Sequence, residues 1–291
     1  MVKLLVLGGD TPLGVAVLRM LNHQQRHQVQ ALSLADSAFK RERAAKKVIK
    51  RLQPDALLDL RLDAILSNRD HLHDIDIERT RWFGKACARN DIIYLFQSCA
   101  WVFSGAEASA PWREVDAPDG AGALSTMIQA SERAVTAMTA NALTLRLAPI
   151  YSSAGGTLLV KLLHRFSRGE RIAMSDAQYF NPISADDGGR VIAGVLDQLS
   201  CGAQSRGVFH YGSNERSSYY EFGEAVFAAA SQFMNVSSGG VVRSSDASQA
   251  SGDWCLSSDR IFECFGIHQA PWRRMLAPAV QAFFQQQGAN Q

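Results

Sequence analysis

Residues 8–14, Gly8-Gly9-Asp10-Thr11-Pro12-Leu13-Gly14, constrain this chain more than any other stretch. They follow the apolar run Lys3-Leu4-Leu5-Val6-Leu7. They precede Val15, Val17, Leu18 and Leu21, which with Leu13 cover a wide face at helical spacing. A strand that turns through glycine directly into a helix opens a βαβ unit. Thr11 as N-cap and Pro12 in the first helical position suit that helix start. In such a turn the first glycine makes the bend and the last lets helix and strand approach closely. A middle glycine lets backbone N–H groups reach an anion at the positive end of the helix, which is how a dinucleotide pyrophosphate is seated. Gly8 and Gly14 fill the outer places, and Thr11 stands in the middle one, where its side chain narrows the approach. Gly8, Asp10, Thr11, Pro12, Leu13 and Gly14 are therefore the expected cofactor-binding residues. A plain strand–helix turn without cofactor is the alternative.

The alternation continues. Apolar runs at 29–34, 56–60, 92–96 and 143–147 are separated by helical stretches at 41–51, 77–89 and 126–140. Continuous apolar strands between helices imply a parallel sheet covered on both faces, and right-handed crossovers make it doubly wound. The expected fold is α/β, a Rossmann-like doubly wound parallel sheet over 1–150. Beyond Pro149 the pattern breaks into a helix at 158–166, isolated strands around 173–183 and 207–211, and a Ser- and Gly-rich loop at 236–252. Residues 151–291 are expected to form a smaller substrate lobe, partly interleaved with the first domain. Asp36, 22 residues past Gly14, stands where an acidic residue takes a ribose hydroxyl. Lys40, Arg41 and Arg43 follow it and suit a 2′-phosphate. The balance leans to NADP(H), with NAD(H) left open.

The formal charge of +2 gives no global field of the kind that recruits nucleic acid, and the basic run from Lys40 to Arg51 reads as a solvated helix face. The first apolar run is too short for a secretory signal, and no stretch approaches a membrane span, so a cytoplasmic protein is expected. Five scattered cysteines without C-x-x-C spacing suggest neither disulfides nor zinc. Asp70, His71, His73 and Asp74 cluster in sequence, but in a segment that reads as a loop or helix start. No metal is expected.

Five segments in order, residues 98–105, 111–116, 176–182, 207–210 with 219–222, and 265–267 with 271–273, resemble dTDP-4-dehydrorhamnose reductase and its relatives among the extended short-chain dehydrogenases. Ser98-Cys99-Ala100-Trp101-Val102-Phe103-Ser104-Gly105 is similar to the family's S-T-D-Y-V-F-D-G. Pro111-Trp112-Arg113-Glu114 with Asp116 follows its P-[WY]-x-E-x-D. Asp176-Ala177-Gln178-Tyr179-Phe180-Asn181-Pro182 resembles its D-D-Q-x-G-x-P loop. Gly207-Val208-Phe209-His210 with Tyr219-Tyr220-Glu221-Phe222, and Phe265-Gly266-Ile267 with Pro271-Trp272-Arg273, match its later segments. The resemblance implies hydride transfer from a nicotinamide to a 4-keto sugar on a nucleotide carrier. It also implies Ser98, Trp101, Gln178 and Asn181 as substrate-binding residues.

The resemblance also implies a Tyr-x-x-x-Lys pair, whose lysine lowers the tyrosine's pKa so that the phenol protonates the developing alkoxide. Aligned on Glu132, the tyrosine position is Leu124, the lysine position is Ile128, and the carbonyl-polarising Thr position is Cys99. No local shift restores the pair. The residues four beyond Tyr94, Tyr151, Tyr179, Tyr211, Tyr219 and Tyr220 are Ser98, Gly155, Ile183, Glu215, Gly223 and Glu224, and no lysine lies between Lys85 and Lys161. The chain is therefore expected to be catalytically impaired, with a cleft that binds a nicotinamide dinucleotide, a nucleotide-sugar or both. An active NADP(H)-dependent reductase using an atypical proton donor, such as Ser98, Ser125, Thr126 or a water, is the alternative. A protein partner and a homodimer stay open.

Overall fold

The glycine turn joins β1 (Val2–Leu7) to α1 (Pro12–Gln24). Gly8 bends at φ +74°, in the left-handed region that favours glycine. A Cβ on Gly14 would lie 2.1 Å from the Gly8 carbonyl oxygen, so only glycine lets the helix approach this closely. The computed structural model describes residues 2–68, 73–106, 111–234, 239–244 and 251–289.

After α1 come β2 (His27–Leu32), α2 (Leu34–Ser37), α3 (Glu42–Leu52), β3 (Ala56–Asp59), α4 (Arg61–Asn68) and α5 (Asp74–Arg89). Then follow β4 (Ile93–Cys99), α6 (Ala123–Met138) and β5 (Ala142–Leu147). The rest of the chain carries β6 (Ile150–Tyr151), α7 (Leu158–Ser167), β7 (Arg171–Met174), β8 (Gln178–Phe180) and β9 (Ile183–Ser184). Next come α8 (Ala185–Ser200), β10 (Gly207–Tyr211), β11 (Ser217–Ser218), α9 (Tyr219–Ala230) and β12 (Gly240–Arg243). β13 (Gly252–Asp253), α10 (Asp259–Phe265) and α11 (Arg273–Ala289) complete it.

The main sheet has six parallel strands in the order β10-β5-β4-β3-β1-β2. β3 and β5 are buried along their whole length, while the edge strand β2 alternates and is never fully buried. The chain runs outward from β1 to β2, then returns to β3 on the other side of β1. That reversal makes a switch point between the start of α1 and the end of β3, where ligands of such sheets bind.

Several boundaries move. β2 ends at Leu32 because the Ser33 hydroxyl accepts the Asp36 N–H and starts α2. α6 begins at Ala123, three residues before the expected 126, which puts Leu124 in its first turn. Part of the expected loop at 236–252 is β12, paired in parallel with β7. Residues 235–238 and 245–250, like Asp70 and His71, lie outside the described residues. His73 is the N-cap of α5 and Asp74 its first residue.

Apolar packing falls into two clusters. The first gathers β1, β3, β4 and β5 with α1, and takes in Val191–Leu199, Phe209, Tyr211 and Ile261 from far along the chain. The second is built on Leu159, Leu163, Phe166, Phe180, Phe222, Trp272 and Val280. Among the described residues, no helix is long and apolar enough to cross a membrane.

Candidate functional site

At the carboxyl ends of β4 and β5 a cavity of about 700 Å³ lies between the sheet and α7, with Asp63, Gln97, Cys99, Trp101, Leu124, Lys161 and Tyr219 on its walls. The structure brings Cys99, Trp101 and Leu124 together in the lining of this one cavity. It separates other expected residues from them. Ile128 is fully buried in the first core and does not face the cavity.

Ser98 is also fully buried. Its hydroxyl donates to Glu132 Oε1 at 2.5 Å, and Glu132 holds Arg146 through two bonds of 2.9 and 2.7 Å. Arg146 donates in turn to His210 Nε2 at 3.2 Å, and His210 Nδ1 donates to the Trp112 carbonyl at 3.0 Å. Burial and the neighbouring Arg146 cation hold the imidazole down to about 3, so it stays neutral. Ser98 therefore serves a buried network joining α6, β5 and β10. Asn181 is committed elsewhere as well: its amide donates to the Ser213 and Leu256 carbonyls at 3.1 and 3.0 Å. Gln178 lies in β8 and does not line this cavity.

Burial pushes the Cys99 thiol up to about 12, so the group at the cavity wall is a neutral thiol, a weak donor. Burial likewise raises the Asp63 carboxyl to about 6, against the opposing pull of the Leu13 N–H and the Thr11 side chain. Lys161 and Tyr219 come from α7 and the start of α9, so sequence proximity could not place them here. The usable signal was spacing: Leu158, Lys161, Leu162 and Arg165 form one stripe along α7, with cations on an otherwise apolar face.

A second cavity, about 470 Å³, lies beyond the ends of β2 and β3, between Leu34, Ser37 and Ala38 and the side chains of Arg61, Ile65 and Arg79. Asp36, Lys40 and Arg41 are exposed and do not line it. Asp36 accepts from the Ser33 hydroxyl at 2.8 Å, and Asp10 accepts the Leu34 N–H at 2.7 Å. The glycine turn, where the fold would seat a pyrophosphate, packs against the start of α4, whose Arg61 lines the smaller cavity and whose Asp63 lines the larger. Its geometry suits the bend, but four of its backbone donors are engaged. Gly9 N–H goes to Leu32 O, Thr11 N–H to Gly8 O and Gly14 N–H to Thr11 Oγ1, while Pro12 has none. Leu13 N–H donates to Asp63 Oδ2 at 2.9 Å.

A doubly wound parallel sheet with a glycine turn at its switch point defines a Rossmann-like α/β protein. Within that class the chain belongs to the family described as the RmlD substrate binding domain, whose model matches residues 2–285. It is similar to dTDP-4-dehydrorhamnose reductase of Aggregatibacter actinomycetemcomitans, with 20% identity over 287 residues, covering 95% of this chain and 97% of that one. Its fold is that of a dTDP-4-dehydrorhamnose reductase from Clostridium acetobutylicum, with a TM-score of 0.80 at 17% identity, covering 96% and 99% of the two chains. The enzyme from Bacillus anthracis, solved in complex with NADP, gives 0.77 at 16% identity over 98% of this chain and 99% of that one.

Proposed function

We propose that this chain binds a nicotinamide dinucleotide, a nucleotide-sugar or both in its cleft, and acts through binding rather than by transferring hydride. One observation carries this reading. Where the family resemblance puts a phenol and an ammonium, the cavity wall presents the hydrocarbon of Leu124, and Ile128 points into the sealed core. A second reading has its own support, because Tyr219 and Lys161 share the cavity with Cys99. In that reading the chain is an active NAD(P)H-dependent reductase of 4-keto sugar nucleotides with its proton donor rebuilt from the second lobe.

The test is steady-state NADPH oxidation with dTDP-4-dehydrorhamnose, run beside melting curves with each ligand. The first reading expects no ketone-dependent oxidation and a rise in melting temperature with at least one ligand, since a ligand bound only by the folded state must stabilise it. Turnover that Tyr219→Phe abolishes would establish the second reading. A melting temperature unmoved by either ligand at millimolar concentration would contradict both.

A further inference from the structure

At the N-terminus of α1, beside the glycine turn, backbone donors and the helix dipole converge in a way that favours an anion. In this chain an anion is already there, and it belongs to the protein. Asp63 sits in the first turn of α4, is 1% exposed, and accepts the Leu13 N–H at 2.9 Å. Its position is enforced by packing. A Cβ on Gly8 would meet the Leu60 carbonyl and the Arg61 nitrogen at 3.1 Å, so the turn from β3 into α4 lies directly against the glycine turn. Leu60 N–H donates to Leu7 O at 3.0 Å and holds that approach from the β1 side.

α4 also divides the groove. Arg61, Leu62, Ala64 and Ile65 line the cavity of about 470 Å³, whereas Asp63, Leu66 and Ser67 line the one of about 700 Å³. A dinucleotide reaching from the first cavity to the second has to cross the switch point at the Leu13–Asp63 hydrogen bond.

We propose that Asp63 is a built-in competitor for the pyrophosphate seat, so that a dinucleotide binds this chain only by displacing the carboxylate from the Leu13 N–H. This deepens the binding reading above and rests on it only in laying a dinucleotide across the glycine turn. Two effects work together. The carboxylate removes the donor that a phosphate would use, and its negative charge in a buried setting repels the incoming anion. A ligand confined to the larger cavity does not cross the hydrogen bond and is indifferent to Asp63. The contact is therefore selective, weakening ligands that span the turn and sparing those that do not.

The experiment is a binding titration of NADPH and of ADP-ribose, by calorimetry, against the wild-type chain, Asp63→Asn and Asp63→Ala. Asp55→Asn, at the opposite end of β3, controls for net charge. The expected result is binding tighter by about 10-fold or more in Asp63→Ala for both ligands, roughly what one full charge at a helix terminus is worth in a buried setting. Asp63→Asn should gain in the same direction, and Asp55→Asn should match the wild type. If Asp63→Ala does not fold, Asp63→Asn decides, since it keeps the shape and loses the charge. Equal or weaker binding in the folded variants, an equal gain in Asp55→Asn, or no binding in any chain overturns the proposal. None of these readouts uses turnover. A chain that proves catalytically active would defeat the functional reading and leave this result standing, and the reverse holds too.

Discussion

At Asp63 an ionised carboxyl, disfavoured by its burial, also holds the Leu13 N–H at the glycine turn, so stability and the proposed ligand binding respond to the same charge. Its folded pKa is raised by burial to about 6, above the ordinary carboxylate range, so between pH 4 and 6 the folded state holds a proton that the unfolded state has released. Stability from this group is therefore present at low pH and lost as pH rises through 6, by about 3 kcal/mol in full. The difference in unfolding free energy between Asp63→Asn and the wild type should accordingly grow in the variant's favour from pH 4.5 to 7.5. Denaturant titrations at the two pH values check it, and a pH-independent difference would contradict the assignment. Ile128 makes the complementary case. Restoring a lysine there buries an ammonium at a site with no solvent exposure, and Ile128→Lys should cost about 2–4 kcal/mol in urea unfolding. An unchanged midpoint would mean that this position opens to the cleft.

Among the elements, α6, β5 and β10 are tied together by Glu132, Arg146 and His210, with Ser98 of β4 attached. Removing one member of a buried pair leaves an uncompensated charge. Arg146→Met should therefore cost about 3–5 kcal/mol, and adding Glu132→Leu should recover part of that loss. Chemical denaturation of the single and double variants decides it; strict additivity would show that the pair is not coupled. Gly14→Ala places a Cβ against the Gly8 carbonyl and should destabilise by about 2 kcal/mol through overpacking of α1 on the turn. This is the scale at which the sequence was most legible. Gly8, Gly14, Thr11 and the apolar runs announce β1, α1 and the sheet because their signals are local in the chain. Ser98 misled, because its true partner Glu132 lies 34 residues away and claims the hydroxyl that the motif assigned to substrate. Asp63 was invisible for the same reason: nothing near it in sequence says that it caps a helix 50 residues earlier. β6, β9, β11 and β13 are two residues each and carry no periodicity that a pattern could show.

For the whole molecule, the cleft lies between a sheet-centred core and a second core built on Phe166, Phe180, Phe222 and Trp272. Its walls come from both, with Cys99 and Leu124 on one side and Lys161 and Tyr219 on the other. A ligand held there would touch both cores, which suits the binding role proposed above. If the cleft acts through binding, as proposed, it moves no hydride from NADPH to the sugar. The most direct measurement incubates the chain at high concentration with dTDP-4-dehydrorhamnose and NADPH deuterated at C4, and then weighs the sugar nucleotide by mass spectrometry. A cleft that only binds leaves no deuterium in the sugar above the level of a protein-free control. Deuterium incorporation that scales with protein and disappears in Tyr219→Phe would contradict it.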